Sequence, residues 1–232
     1  MVEIKNLSKS YRLGKYVLNN ITYHFESKKI TGIVANNGEG KTTLFNCIYG
    51  LDSAYTGHIQ FDFPVGKDQK SRCGYLPTDL YFYPKITGRE YVIFCATARQ
   101  KSHDRIDEWA ELLDLPLDDY VSNYSTGMKK KVGLLGLIIQ DNDVIILDEP
   151  FNGLDIASNI LLNTILLKLK SQGKTVLLSS HILSTLTDIS DYIVVLKGGQ
   201  FNAIYEKCNF SALKIDMDAD NNRAEKLIEK LM

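Results

Sequence analysis

Several features that define specialised classes of protein are scarce in this sequence. Its 232 residues include only four cysteines, five prolines and one tryptophan, and 27 basic side chains are balanced by 28 acidic ones. A net charge close to zero removes the electrostatic case for a nucleic-acid surface, which needs a clustered basic face to neutralise phosphates. We therefore expect no nucleic acid among its partners.

Long hydrophobic runs are also missing. No stretch approaches the roughly 18 consecutive apolar residues that a membrane-spanning helix needs. The opening MVEIKNLSKS lacks the apolar centre of a signal peptide. Taken alone, these features predict a cytoplasmic protein. The cysteines show no CxxC pair and no histidine at metal-ligand spacing, so we expect them to be core or surface residues; they are Cys47, Cys73, Cys95 and Cys208.

The hydrophobic pattern along the chain predicts an α/β fold. Apolar and polar residues alternate at Val2/Ile4 and at Ile21/Tyr23/Phe25, which indicates antiparallel strands. The elements predicted after them are a strand over 30–34, a helix ending at Gly50, helices over about 88–113 and 125–140, a strand over 144–147, a helix over 157–171, a strand over 175–179, a helix over 183–189 and a strand over 192–196. This order favours three layers, with helices on both faces of a sheet and a helical block inserted into it.

The C-terminal part of the chain carries two further signals of secondary structure. The letters KGGQ after the strand over 192–196 predict a hairpin turn. Beyond them, an apolar stripe predicts a final amphipathic helix, formed by Ala224, Leu227, Ile228 and Leu231.

A phosphate-binding loop is the strongest local motif. The segment ANNGEGKT is a near match to G-x-x-x-x-G-K-[ST] and lies between a predicted strand and a predicted helix, as the mechanism requires. Glycines let backbone N–H groups turn toward phosphate oxygens, and the lysine adds positive charge. Ala35 replaces the first glycine and strains the loop, by roughly 1–2 kcal/mol, only if its φ is positive. The candidate ATP-binding residues here are Asn36, Asn37, Gly38, Glu39, Gly40, Lys41, Thr42 and Thr43.

Two adjacent carboxylates follow the apolar strand that ends at Leu147. Asp148 can reach a Mg²⁺ ion together with the hydroxyl of Thr42, since magnesium keeps much of its water and takes few protein ligands. Glu149 can orient a water for in-line attack on a γ-phosphate. The sequence thus predicts a site for a nucleotide with a γ-phosphate and Mg²⁺, and the family resemblance described next implies that the nucleotide is ATP.

With these motifs in place, the chain resembles the ATP-binding cassette of ABC transporters over nearly its whole length. The stretch Tyr124-Ser125-Thr126-Gly127-Met128 resembles that family's LSGGQ signature. The resemblance implies that two cassettes pack head to tail, so that Ser125 and Gly127 of one copy contact the ATP held by the phosphate loop of the other. It also implies a P-loop NTPase core with an N-terminal antiparallel β subdomain and an inserted α-helical subdomain.

Other positions take their roles from the same resemblance. Tyr11 resembles the aromatic residue that stacks on adenine, and Asp155 lies in a segment that resembles the D-loop, which joins the two sites of the dimer. His181 resembles the switch histidine that contacts the γ-phosphate. Thr78 stands where the family has glutamine or glutamate in the Q-loop, and its shorter hydroxyl is a candidate metal ligand.

The resemblance also implies an organisation and partners. We expect a single ABC ATPase domain over 1–232, in which 1–83 and 141–205 form the nucleotide-binding core with its β subdomain, 84–140 the helical subdomain, and 206–232 a short extension. The expected partners are a second cassette, in a homodimer, and a separately encoded integral membrane permease. The chain would then lie peripherally on the inner face of the cell membrane, and the stretch from Tyr83 to Glu90 resembles exporter-type cassettes.

Two alternatives remain open from the sequence. One is a single-cassette ABC ATPase with a soluble assembly role and no transporter. The other is a regulatory module that closes on ATP but hydrolyses it poorly, which Ala35 and Thr78 favour and which Glu149 and His181 oppose.

Overall fold

The computed structural model describes residues 2–12, 14–62 and 72–213. The predicted helix that contains Leu227 lies outside the described residues.

An initial pair of strands is followed by a mixture of strands and helices, with three consecutive helices in the middle of the chain. The strands are β1 (Val2–Arg12), β2 (Lys15–Phe25), β3 (Ile30–Val34), β4 (Thr56–Phe61), β5 (Cys73–Leu76), β6 (Val144–Leu147), β7 (Thr175–Ser180), β8 (Tyr192–Lys197) and β9 (Gln200–Glu206). The helices are α1 (Lys41–Tyr49), α2 (Gly88–Ala98), α3 (Ile106–Leu113), α4 (Thr126–Ile139), α5 (Ile156–Ser171) and α6 (Leu183–Ile189).

The strands form two sheets. A three-stranded antiparallel sheet has the order β2-β1-β4, and a six-stranded sheet has the order β5-β6-β7-β3-β8-β9. In the larger sheet every pair is parallel except β8 with β9, which form a hairpin closed through Lys197 and Gln200. The predicted KGGQ turn is therefore confirmed.

The central strands are apolar because both faces of the larger sheet are covered. All residues of β3, β6 and β7 are buried, as is typical of parallel strands between two layers. One face packs against α4, α5 and α6. The other encloses α1 beneath the antiparallel sheet, with Leu44 and Phe45 fully buried. This arrangement confirms the three-layer α/β prediction and the antiparallel N-terminal strands.

The prediction of one helix over about 88–113 was wrong in one respect, because the structure has two helices there. A capping box between Thr87 and Glu90 starts α2, and the helix ends at Arg99. Gln100 then takes a φ of 53°, and α3 begins only at Ile106. The seven residues from Arg99 to Arg105 are polar and offer no apolar side chain to the core, so nothing holds them in a continuous helix.

Two expectations about the sequence as a whole concern membranes and thiols. Within the described residues, no helix has both the length and the apolar character that crossing a bilayer demands. The four cysteines are free, three of them buried and Cys208 exposed, as expected for core and surface residues.

Sequence patterning missed β4 and β5, of which β5 is important for the site. β5 has only four residues and includes Gly74, yet it pairs in parallel with β6 from Cys73–Val144 to Leu76–Leu147. Because neighbouring parallel strands end at the same edge, β5 delivers its following residues beside those of β6.

Candidate nucleotide-binding site

The phosphate loop connects β3 to α1 as the motif predicts. Gly38 and Gly40 adopt φ values of 85° and 102°, which favour glycine, and Gly40 is the residue from which α1 starts. Ala35 is not among the described residues with positive φ, so the alanine carries no left-handed strain. The replacement of the motif's first glycine therefore leaves the loop geometry intact.

The lysine of the loop is folded across it. Lys41 Nζ donates to the carbonyl of Ala35 at 2.7 Å and to that of Asn36 at 3.4 Å. The same nitrogen lies 3.4 Å from Glu149 Oε1. The ammonium group is thus buried at the base of the loop, between its carbonyl groups and the carboxylate that follows β6.

Asp148 stands fully buried at the carboxyl end of β6. Its Oδ2 accepts a hydrogen bond from Thr42 Oγ1 and its Oδ1 one from Ser179 Oγ, both at 2.5 Å. Its backbone N–H donates to the carbonyl of Leu76 on the adjacent strand, at 2.8 Å. Three strands therefore hold this carboxylate against the first turn of α1.

Glu149 is held in an unusual conformation. Its φ is 49°, in the left-handed region, and its backbone N–H donates to Ser179 Oγ at 3.0 Å. Its Oε2 lies 2.9 Å from His181 Nδ1, at the end of β7. Lys130 Nζ, from α4, donates to its carbonyl at 3.2 Å. Contacts from β7 and α4 thus hold the backbone of Glu149, and His181 contacts its carboxylate.

A cleft of about 630 Å³ brings most of these side chains together. It opens at the carboxyl ends of β3, β5, β6 and β7, where ligands bind in open α/β sheets. Of the predicted residues, the structure places these along the cleft: Asn36, Asn37, Gly38, Gly40, Lys41, Thr42, Thr43, Thr78, Asp148, Glu149 and His181.

Two predicted ATP-binding residues lie outside that lining. The side chain of Tyr11 is 59% exposed, and its hydroxyl lies 3.5 Å from Thr43 Oγ1, at the rim. The carboxylate of Glu39 turns away and accepts a hydrogen bond from the Gly198 N–H at 2.5 Å. Its backbone N–H donates to Asn36 O at 3.3 Å, so its contribution to the loop comes from the backbone.

The oxygen atoms of the cleft fit a magnesium ion that arrives with a nucleotide. Thr42 and Asp148 place a hydroxyl beside a carboxylate. Among the described residues there is no group of three or more His, Cys, Asp or Glu that could hold a metal by itself. Magnesium commonly takes one or two carboxylates plus phosphate oxygens and water. Thr78 Oγ1 lies 3.4 Å from the Asp148 carbonyl, which makes it a neighbour of this pair.

The signature and D-loop residues lie together in a different, open depression of about 930 Å³. Ser125 caps α4 by accepting from the Met128 N–H, and Asp155 caps α5 by accepting from the Ser158 N–H. The backbone hydrogen bond from Ser158 lowers the pKa of Asp155. Gly127 is in close contact with this segment, since a Cβ there would stand 2.9 Å from the Gly153 carbonyl.

Sequence reasoning missed Ser179, which joins the carboxylate of Asp148 to the backbone of Glu149. Its hydroxyl donates to Asp148 and accepts from the Glu149 backbone. The available signal was its position, because a polar residue near the end of an otherwise apolar buried strand faces the edge where ligands bind.

Comparison with known proteins places this geometry in a family. The ABC transporter family model matches residues 18–152. An uncharacterized ABC transporter ATP-binding protein of Synechocystis is 33% identical over 216 residues, which are 86% of this chain and 61% of that relative. The manganese transport system ATP-binding protein MntB of Bacillus subtilis is 34% identical over 208 residues, 84% of this chain and 82% of the relative.

A solved structure supports the same assignment. The ATP-binding subunit of an ABC transporter superposes with a TM-score of 0.81 at 26% identity, covering 89% of this chain and 90% of that one. The chain belongs to the ABC transporter family. It is an ATP-binding cassette, the ATPase domain of that family.

Proposed function

We propose that this chain is the ATP-binding and ATP-hydrolysing subunit of an ABC transporter. Two copies close head to tail around two ATP molecules, and closure drives a separate membrane-spanning subunit. The observation that carries the proposal is the separation of the two half-sites, because the phosphate cleft and the depression with Ser125 and Gly127 have no described lining residue in common. A second copy brings one against the other.

Hydrolysis follows from the residues of the cleft. Lys41 and the N–H groups of the loop hold the β- and γ-phosphates. Thr42 and Asp148 would hold Mg²⁺, which would supply positive charge beside them. Glu149 takes a proton from the attacking water while the oxygen of that water forms a bond to the γ-phosphorus. The bond to the bridging oxygen breaks, and ADP leaves with that electron pair. His181, 2.9 Å from Glu149, orients the carboxylate.

The remaining predicted contacts complete the closed dimer. Tyr11 stacks on adenine from the rim, and Thr78 adds an oxygen near the metal. Ser125 and the backbone of Gly127 bind the γ-phosphate of the opposite copy at the start of α4, where the helix favours an anion. Asp155 links the two sites.

The dimer is tested with Glu149→Gln, which keeps the shape of the side chain but removes its basic oxygen. Light scattering coupled to size exclusion should show a monomer without nucleotide and a dimer with ATP and Mg²⁺. Adding Ser125→Glu places a negative charge against the opposite γ-phosphate and should abolish the dimer while each monomer still binds ATP. Ser122→Glu, on the same exposed segment, is the matched control and should dimerise. ATP-bound Glu149→Gln that stays monomeric contradicts the proposal.

An aromatic groove supports a docking place for the membrane subunit. It has a volume of about 500 Å³ and runs along the start of the helical block, between Tyr81 and Phe94. Tyr81, Tyr83 and Phe94 are all strongly exposed there. Exposed apolar patches of this kind mark interaction sites, and Thr78 lies a few residues before the groove.

The membrane partner is tested by co-purification in mild detergent from the native host. An integral membrane protein should be retained by the tagged wild type and lost with Tyr83→Ser. Tyr16→Ser changes another strongly exposed tyrosine, on β2, and should retain the membrane protein. If the wild type retains no integral membrane protein, the soluble assembly role is favoured.

We further propose that transport runs outward, because the stretch from Tyr83 to Glu90 resembles exporter-type cassettes. Inverted vesicles supplied with ATP should then accumulate the cargo.

A further inference from the structure

Two buried polar atoms of the phosphate cleft have no hydrogen-bond partner among the described residues. They are Glu149 Oε1 and the hydroxyl oxygen of Tyr75. Glu149 Oε1 has the ammonium of Lys41 at 3.4 Å, and its carboxylate already has a role in the proposed hydrolysis. Tyr75 has neither. A buried hydroxyl without a partner is destabilising, since it has given up its hydrogen bonds to water.

The ring of Tyr75 is fixed by its packing. It stands on β5, opposite Ile146 of β6, and its centroid lies 5.4 Å from that of Tyr49 and 6.5 Å from that of Phe45, both on α1. The hydroxyl therefore cannot swing freely to find a partner elsewhere. Its direction is set by the sheet on one side and by the helix that carries Thr42 on the other.

Tyr75 lines the same cleft as Thr42 and Asp148, on the strand that pairs with β6. Burial and the negative charge of Asp148 both raise the pKa of the Tyr75 phenol. The group is therefore protonated at neutral pH and is able both to donate and to accept a hydrogen bond. Thr42 and Thr78 also present hydroxyls there, but both are already engaged with Asp148.

We propose that the Tyr75 hydroxyl is a further binding group of this site and forms a hydrogen bond with an oxygen of the bound magnesium nucleotide, beside Asp148. The inference rests on the proposed function. The oxygen belongs either to a phosphate, to which the phenol donates, or to a metal-bound water, from which it accepts. In both cases the nucleotide complex supplies a hydrogen bond to a hydroxyl that has no partner within the described part of the chain.

The test uses Tyr75→Phe, which removes only the hydroxyl, in the Glu149→Gln background so that no ATP is consumed. The free variant should melt about 2–4 °C higher, because an unpaired buried polar group is lost. Its affinity for ATP with Mg²⁺, measured by titration calorimetry, should fall about threefold to tenfold, as expected for one lost hydrogen bond. This opposite movement distinguishes a ligand-binding hydroxyl from a structural one, whose loss weakens the free protein as well.

Tyr49→Phe is the matched control. Tyr49 packs against the ring of Tyr75. It is not among the described residues that line the cleft. Its affinity for ATP with Mg²⁺ should equal that of the parent protein.

A second arm identifies the oxygen. In ATP with EDTA, equal affinity of Tyr75→Phe and its parent supports a metal-bound water as the partner, whereas the same loss as with Mg²⁺ supports a phosphate oxygen. Unchanged affinity under both conditions overturns the inference, as does a lower melting temperature of the free variant. If the parent protein itself binds no ATP, it is the proposed function that fails.

Discussion

The ammonium group of Lys130 donates a hydrogen bond to the main-chain carbonyl of Glu149 at 3.2 Å. Only 5% of Lys130 is exposed, and burial lowers the pKa of its side chain, against the opposing effect of the carboxylates of Asp148, Asp79 and Glu149. The bond joins α4, which begins at the signature residue Ser125, to the residue proposed as the base.

We expect Lys130→Met to lower kcat for ATP hydrolysis about tenfold, because one charged hydrogen bond that orients Glu149 is lost. KM for ATP should change by less than about twofold, since Lys130 contacts the backbone of Glu149 rather than the phosphate cleft. Steady-state kinetics measure both. Lys129→Met changes a neighbouring, less buried lysine and serves as the control, and Lys130→Arg should recover part of kcat. Equal kcat for the two methionine variants contradicts the positioning role.

A second prediction concerns the buried pair of Lys41 and Glu149, whose charged atoms lie 3.4 Å apart. Lys41→Met should destabilise the free protein by about 3 kcal/mol, because it leaves a buried carboxylate without its cation. Adding Glu149→Gln removes that charge and should restore part of the stability. A double-mutant cycle in urea measures the coupling. Strictly additive effects of the two substitutions would show that the pair does not interact.

Gly127→Ala should weaken ATP-dependent dimerisation selectively. The added Cβ would stand 2.9 Å from the Gly153 carbonyl, closer than ordinary contact, so the segment before Asp155 must shift. In the Glu149→Gln background, light scattering should show the dimer only at a higher protein concentration. ATP binding by the monomer is the internal control and should remain, because Gly127 lies outside the phosphate cleft of its own chain. Undiminished dimerisation would argue against the signature as the contact.

Gly74→Ala should lower the free energy of unfolding by about 1–3 kcal/mol through overpacking. Its Cβ would overlap the side chains of Asn142 and Leu137, where β5 runs under the end of α4. Urea denaturation should show a lower midpoint with an unchanged m value, which reports the same folded surface. An unchanged midpoint would mean that the backbone of β5 yields freely.

The nucleotide site could be predicted from sequence because its parts are local. The loop around Gly38 and Gly40, with Lys41 after it, is one continuous segment whose backbone needs glycine at two positions. The carboxylates after Leu147 follow an apolar strand in the same way. Such motifs encode their own geometry over a few residues, so hydrophobic patterning alone places them at the ends of strands.

Elements that depend on distant partners escaped prediction. β5 is four residues long with a glycine inside it, and only its pairing with β6 makes it a strand. The division of the helix expected over about 88–113 was missed, because hydrophobic periodicity does not show which part of a helical pattern packs against the core. The φ of Ala35 was likewise undecided by its chemistry, since alanine tolerates the negative value that the loop adopts.

The family, most of the strands and helices and the candidate residues of the phosphate cleft can be predicted from the sequence, because these depend on local spacing and on the chemistry of single side chains. Which polar groups lose contact with water depends instead on how the elements pack together. Lys130 belongs to a run of three lysines, and Tyr75 lies in a short strand. Packing nevertheless buries the ammonium group of Lys130 and the hydroxyl of Tyr75 near Asp148 and Glu149, the two residues that follow β6. Burial is a property of all the elements that surround a side chain, and no local pattern contains it.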